Sequence, residues 1–155
     1  MNITIHTTVS FNSISYLNYL YENYKHLSSK KTKIFFNLNC LDNMSYYYFK
    51  FDKRFNLVNR LGFERGSLGH AISLNQAIKH FDKKNLNIIS DVDIVIVRKN
   101  WDIMIQNSFL KNSKLGMIGV SYENIDGFST GASKLQTYKN QPTATWLVLS
   151  PKFNF

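Results

Sequence analysis

Short β-branched, apolar runs alternate along this chain with longer stretches of helical period. No other feature narrows the possible folds as much. ITIHTTV (3–9), KTKIFFNLNCLD (31–42) and NLNIISDVDIVIV (85–97) have strand character, as do LGMIGVSYE (115–123) and TATWLVLSPKF (143–153). Between the first two lies SISYLNYLYENYKHL (13–27), where Leu17, Leu20, Tyr24 and Leu27 recur at three- and four-residue steps. Ser13 or Ser15 supplies its N-cap. A second helical stretch opens at Gly66 and Ser67. It carries Ala71, Leu74, Ile78 and Phe81 on one face, and Lys83 and Lys84 suit its negative end. KNWDIMIQNSFLK (99–111) reads as a third helix. MSYYYFKF fits either a strand or a short helix, FNLVNRLG (55–62) a short strand, and NIDGFSTGASK, with Gly127 and Gly131, a polar turn-rich connection. The pattern predicts an α/β domain, a single mostly parallel sheet flanked by helices. A length of 155 residues makes it one domain over 1–155.

Composition sets bounds on the function. The chain is 44% hydrophobic, enough for a core without covalent staples. No run approaches the ~20 continuous apolar residues of a membrane span. MNITIHTTVSFNS lacks a basic segment followed by an apolar one, so no secretory signal is expected. Cys40 is the single cysteine, which excludes an internal disulfide and fits a reducing, cytoplasmic setting. A net charge of +9 favours anionic partners. The lysines are scattered, however, and read as a solvated face. A basic RNA-binding module is the alternative that charge and the 15% aromatic content leave open. Against it, the aromatics fall at core-like positions and nucleic acid is not the expected partner.

In open α/β sheets ligands bind beyond the carboxyl ends of the strands. Thr8, Asp42, Asp91 and Asp93 all follow predicted strands. Asp91 and Asp93 interrupt an apolar run, and unpaired buried charge costs several kcal/mol, roughly, even after relaxation. In extended chain residues i and i+2 project to one side, so both carboxylates are expected to face one pocket. Close carboxylates favour a shared proton or a cation. Mg²⁺ and Mn²⁺ take oxygen ligands, and Mg²⁺ commonly combines one or two carboxylates with substrate phosphates. Asp-x-Asp alone is a common triplet, and either residue also suits a turn or cap.

The order of these features resembles the nucleotide-sugar-binding half of glycosyltransferases with the GT-A fold, in particular glycosyltransferase family 2, over roughly residues 2–120. SLNQAI supplies an Asn-x-Ala pattern at Asn75 and Ala77, SDVD the acidic motif about fifteen residues later, and Trp101-Asp102 the "W-D" that opens the next helix. The resemblance implies a metal-dependent transfer of sugar, from a UDP-sugar by preference, to an acceptor hydroxyl on a glycan or lipid-linked acceptor. Peripheral membrane contact is compatible with it. It implies that Asp42 meets the base, although a helix N-cap is an equal use for an aspartate there. Thr7 and Thr8 match the first loop. Asp91 stands near ribose and metal, and Asp93 matches the metal-ligand position for Mn²⁺ or Mg²⁺. Gly69 and His70 match the region facing base or phosphates, with Arg65 as a further phosphate candidate. Asn75 orders the loop carrying Asp91 rather than touching ligand. His6, His26 and His80 read as structural or surface residues. The family's catalytic carboxylate lies well downstream of Asp-x-Asp, whereas here no acidic residue follows Asp126, and Glu123 and Asp126 carry no supporting motif. The expectation is therefore a GT-A-type domain without the full acceptor half, C-terminally truncated and with no assigned base, or a non-catalytic nucleotide-sugar-binding remnant.

Overall fold

The computed structural model describes residues 1–62, 66–119 and 146–151, with only the backbone of Gly66 and Ser67. In chain order the elements are β1 (Ile3–Val9), α1 (Ile14–Leu27), β2 (Ile34–Cys40), α2 (Asn43–Phe49), β3 (Leu57–Arg60), α3 (Gly66–Lys79), β4 (Leu86–Ser90), α4 (Trp101–Lys111), β5 (Met117–Gly119) and β6 (Trp146–Leu149). A single 3-10 turn over Phe11–Ser13 leads into α1, and Ser13 is the α1 N-cap residue. The strands form one six-stranded sheet in the order β3-β2-β1-β4-β6-β5.

The sheet is mixed: the expected parallel arrangement holds for four neighbouring strands and is broken by β6. β3, β2, β1 and β4 run parallel, while β6 runs antiparallel to both β4 and β5. Strand direction leaves no trace in local sequence: WLVL has the same apolar character either way up. The ambiguous stretch resolves as a helix over Asn43–Phe49. Asp42 caps it, and its buried side, Ser45 and Phe49, repeats at four residues.

The predicted strand over 85–97 is cut short. β4 ends at Ser90, and a turn begins at once, with the Ile94 N–H reaching the Asp91 carbonyl at 3.4 Å. The apolar alternation of Val92, Ile94 and Ile96 is nonetheless used, because all three pack against the core. The backbone of Ile96 is paired by a side chain. Asn23 Oδ1 accepts its N–H at 2.7 Å, and Asn23 Nδ2 donates to its carbonyl at 2.9 Å. One amide from α1 stands in for the neighbouring strand that the sequence pattern anticipates.

The two faces of the sheet differ in chemistry. Ile3, Ile5 and Val9 of β1, Ile34, Phe36, Leu38 and Cys40 of β2, Leu86 and Ile88 of β4, and Val148 of β6 point to one side. There they meet Leu17, Leu20 and Tyr24 of α1 and Trp101, Ile105 and Phe109 of α4. Tyr24 sits edge-on to Trp101, their ring centroids 5.1 Å apart. The alternate residues Thr4, His6, Asn37, Asn39 and Asn87 face the other side, and they too are buried. α3 and the segment after it cover this polar face. Ser73 and Ala77 are buried against it, and Phe81 lies 4.9 Å from the His6 ring.

Candidate functional site

The chain visits β1, β2 and β3 in one direction and then returns to place β4 on the other side of β1. The crevice between the carboxyl ends of β1 and β4 is therefore the switch point at which α/β sheets take ligands. Thr8 stands at the end of β1. Its hydroxyl hydrogen-bonds the hydroxyl of Ser73 on α3. Asn39, paired with Thr8 across β1 and β2, donates from Nδ2 to the Ser73 carbonyl at 3.1 Å. Asn59 of β3 donates in turn to Asn39 Oδ1 at 3.0 Å. This polar ladder fixes the height and rotation of α3 over the strand ends.

α3 presents the next residues accordingly. Gly69, one turn before Ser73, is buried on the same face. His70 is half-exposed at the crevice, with Nδ1 3.9 Å from Asp91 Oδ1. Asn75 is exposed: two residues past Ser73 it is rotated roughly 200° around the helix, away from the sheet. Asn75 is thus not brought to the loop carrying Asp91, and Ser73 is the α3 residue that ties helix to strand.

Asp91 is half-buried, directly after β4. Burial pushes its carboxyl above the usual carboxylate range, the nearby His70 opposes that, and the charge of Asp93 adds to it. Asp93 is exposed. The extended-chain argument for one shared pocket fails, because the turn over 91–94 replaces the strand there. Asp93 nevertheless acts on Asp91 electrostatically. The donor chemistry, two carboxylates of unequal burial beside an imidazole, fits a hard cation that completes its shell with water and phosphate oxygens. Among the described residues no group of three or more His, Cys, Asp or Glu forms an all-protein cage.

Asp42 is occupied by the backbone. Oδ1 accepts from the Ser45 N–H at 2.8 Å and Oδ2 from the Phe11 N–H at 2.8 Å, so one carboxylate caps α2 and anchors the loop after β1. Each oxygen keeps a second lone pair. Thr7 is buried on the α1 side, and its hydroxyl has no hydrogen-bond partner among the described residues. Arg65, Glu123 and Asp126 lie outside the described residues. Trp101 and Asp102 both serve structure: the Trp101 indole N–H donates to the Tyr24 carbonyl at 3.4 Å, and buried Asp102 accepts from the Ser29 N–H at 2.9 Å. His6 is buried and donates from Nε2 to Asn87 Oδ1 at 3.2 Å, because the amide oxygen can only accept. Burial pushes its pKa down to about 4, and the ring is neutral.

One group of positioning residues has no motif in the sequence. The Trp146 indole N–H donates to the Tyr24 hydroxyl at 2.7 Å, that hydroxyl meets Ser90 Oγ at 3.1 Å, and Ser90 donates to the Asp91 carbonyl at 3.0 Å. Indole is donor-only and Ser90 gives its proton to a carbonyl, so Tyr24 must donate to Ser90. The direction of the whole relay is fixed, and it ends on the backbone of Asp91. Burial holds the Tyr24 phenol well above its ordinary range, which keeps that donor proton in place. The signal for finding Tyr24 was its place in the apolar stripe of α1, which marked it as core and gave no hint of the hydroxyl's use.

No family model, no curated protein and no solved structure matches this chain.

Proposed function

We propose that the chain is the donor-binding half of a metal-dependent glycosyltransferase, which takes a nucleoside-diphosphate sugar, UDP-linked by preference, at the β1–β4 crevice. The observation that carries the reading is Asp91: a carboxylate half-buried at the switch point, kept there against its own desolvation, with Asp93 two residues on and His70 at 3.9 Å. Perturbed carboxylates in a crevice cluster at functional sites more than elsewhere. The Asp-x-Asp resemblance supplies the chemistry, and the α/β sheet with its switch point supports it.

Asp93 and Asp91 would hold the divalent cation, which when bound offsets charge on the departing diphosphate. His70, on α3 above the crevice, donates to a phosphate oxygen. Buried Gly69 admits that group close to the helix. The Thr8–Ser73 pair holds α3 at the height that sets both distances. In the transfer, the bond from the anomeric carbon to the diphosphate oxygen breaks with its electron pair leaving on the nucleotide. A bond to the acceptor oxygen forms, and the acceptor proton passes to a base.

The test is calorimetric titration of UDP with and without Mn²⁺, on the wild-type chain and on Asp93→Ala. Binding that needs Mn²⁺ and disappears in the variant supports the reading, and GDP in the same cell tests the base. Undiminished affinity in Asp93→Ala with metal present overturns it. Asp91→Asn sharpens the result. Since burial raises the Asp91 pKa, removing the charge raises the melting temperature while lowering Mn²⁺-dependent affinity. A fall in both would assign Asp91 to structure.

A further inference from the structure

α2 has two opposed faces, and only one of them belongs to the core. Ser45 and Phe49 are fully buried, with Phe49 edge-on to Phe55 at 5.2 Å. Met44, Tyr47 and Tyr48 occupy an arc of roughly 100° on the side turned away from Ser45 and Phe49, and Phe51 continues the sequence spacing in the turn that follows the helix. They are 58, 56, 59 and 83% exposed. A sequence stripe of this kind ordinarily marks a core face. Here the core is served by the other side of the helix, so the stripe is left for a partner.

Among the described residues the charges that lie on the stripe itself are basic. Lys50 lies over both the Tyr47 and the Phe51 rings, 4.7 and 4.6 Å from their centroids, and Lys53 is exposed just beyond. The two neighbouring acids are committed elsewhere. Asp42 is held by two backbone N–H groups, and Asp52 is gripped by Arg54 at 2.7 Å. The molecule as a whole carries +9.

We propose that this face of α2 docks on an anionic lipid surface. Aromatic and thioether side chains enter the headgroup–acyl boundary while the lysines meet lipid phosphates. The face is a convex helix rather than a groove that tracks a strand, and its two best rings already carry a cation, which disfavours base stacking by single-stranded nucleic acid. A two-fold dimer through the same face would set Lys50 of each copy against like charge. The inference does not rest on glycosyl transfer.

The test is co-sedimentation of the full chain with phosphatidylcholine vesicles, with and without phosphatidylglycerol. Binding to the anionic vesicles and not to phosphatidylcholine alone is expected. Each lysine charge near the surface is worth about fivefold in partitioning, so Lys50→Glu, which changes two charges, weakens it about 25-fold. The paired variant Tyr47→Ser with Phe51→Ser removes it at unchanged net charge. Both variants alter exposed side chains, and far-UV circular dichroism confirms their fold. Absence of binding overturns the proposal, as does equal binding by wild type and both variants, which would reflect general basicity. It is overturned equally if the face instead carries RNA-oligonucleotide binding, or a dimer that the paired variant converts to monomer.

Discussion

The two faces of the central sheet are both buried and are built on opposite principles. Toward α1 and α4 the strands offer aliphatic and aromatic side chains, and order there comes from packing. Toward α3 the same strands offer Thr4, His6, Thr8, Asn39 and Asn87, tied by directed hydrogen bonds: Asn85 to Thr4 at 3.0 Å, Asn87 to the Asp82 carbonyl at 3.0 Å, Asn39 to Ser73. Packing is strong and tolerant of direction, while hydrogen bonds add little net stability and fix geometry. The polar face is the one whose covering helix carries Gly69 and His70. Stability and positioning are thus divided between the two sides of one sheet.

The largest effect should come from the apolar side. Phe36 is fully buried, 4.8 Å from the Tyr21 ring centroid. Phe36→Ala is expected to cost about 3–5 kcal/mol in urea unfolding, the usual range for an aromatic-to-alanine cavity. If the division between faces holds, the fraction that stays folded should keep the proposed Mn²⁺-dependent UDP affinity. A loss of affinity per folded molecule would break the comparison, because packing would then be positioning the crevice as well.

Acid should act on the polar side. Unfolded, His6 takes up a proton near pH 6.5; folded, its pKa is pushed down to about 4 by burial. A depressed pKa means that the stability tied to the neutral ring is whole above about pH 6.5 and is lost progressively as pH falls toward 4. Its size is on the order of 3 kcal/mol. Asp91, with a raised pKa, runs in the opposite sense, and Asp52, with a lowered one, protonates only below the ordinary carboxylate range. His6→Gln, which keeps a donor toward Asn87 and cannot charge, should flatten the stability–pH curve between pH 6.5 and 4. An unaltered curve would place the acid sensitivity elsewhere.

What the sequence made legible follows from this division. β-branched and apolar residues in ITIHTTV and IFFNLNC announce strands, and their period-2 alternation matches the buried Ile3, Ile5, Phe36 and Leu38. The same alternation ordinarily means that the intervening polar residues face water. Nothing local distinguishes Asn39 under a helix from Asn39 in solvent, so the ladder through Ser73 stayed hidden. Asp42 was legible only as an even choice between N-cap and base contact, because the backbone N–H that it accepts from, at Ser45, is one that almost any residue would supply. The turn at Asp91 was not legible, because Val92, Ile94 and Ile96 keep a strand-like rhythm while Asn23, whose amide pairs the Ile96 backbone, lies 73 residues away. α2 was ambiguous because its apolar residues outnumber those its core side uses.

The smallest effect tests a polar relay that crosses the apolar face. Tyr24→Phe removes a hydroxyl and leaves the ring packing against Trp101 and Phe36 unchanged. It strands the Trp146 indole N–H and leaves Ser90 without its donor, at a cost of about 1–3 kcal/mol for an unsatisfied buried group. Stability alone cannot distinguish this hydroxyl from any other buried one; the crevice can. The relay ends on the Asp91 carbonyl, so its loss should also weaken Mn²⁺-dependent UDP binding. Phe36→Ala, despite its larger cost in stability, should not. Tyr24 would then be a positioning residue on the packing side, and the division between faces would be crossed at that single point. If Tyr24→Phe lowers stability and spares affinity, the turn over 91–94 holds Asp91 without help from below, and the positioning of Asp91 belongs to its own loop and to α3.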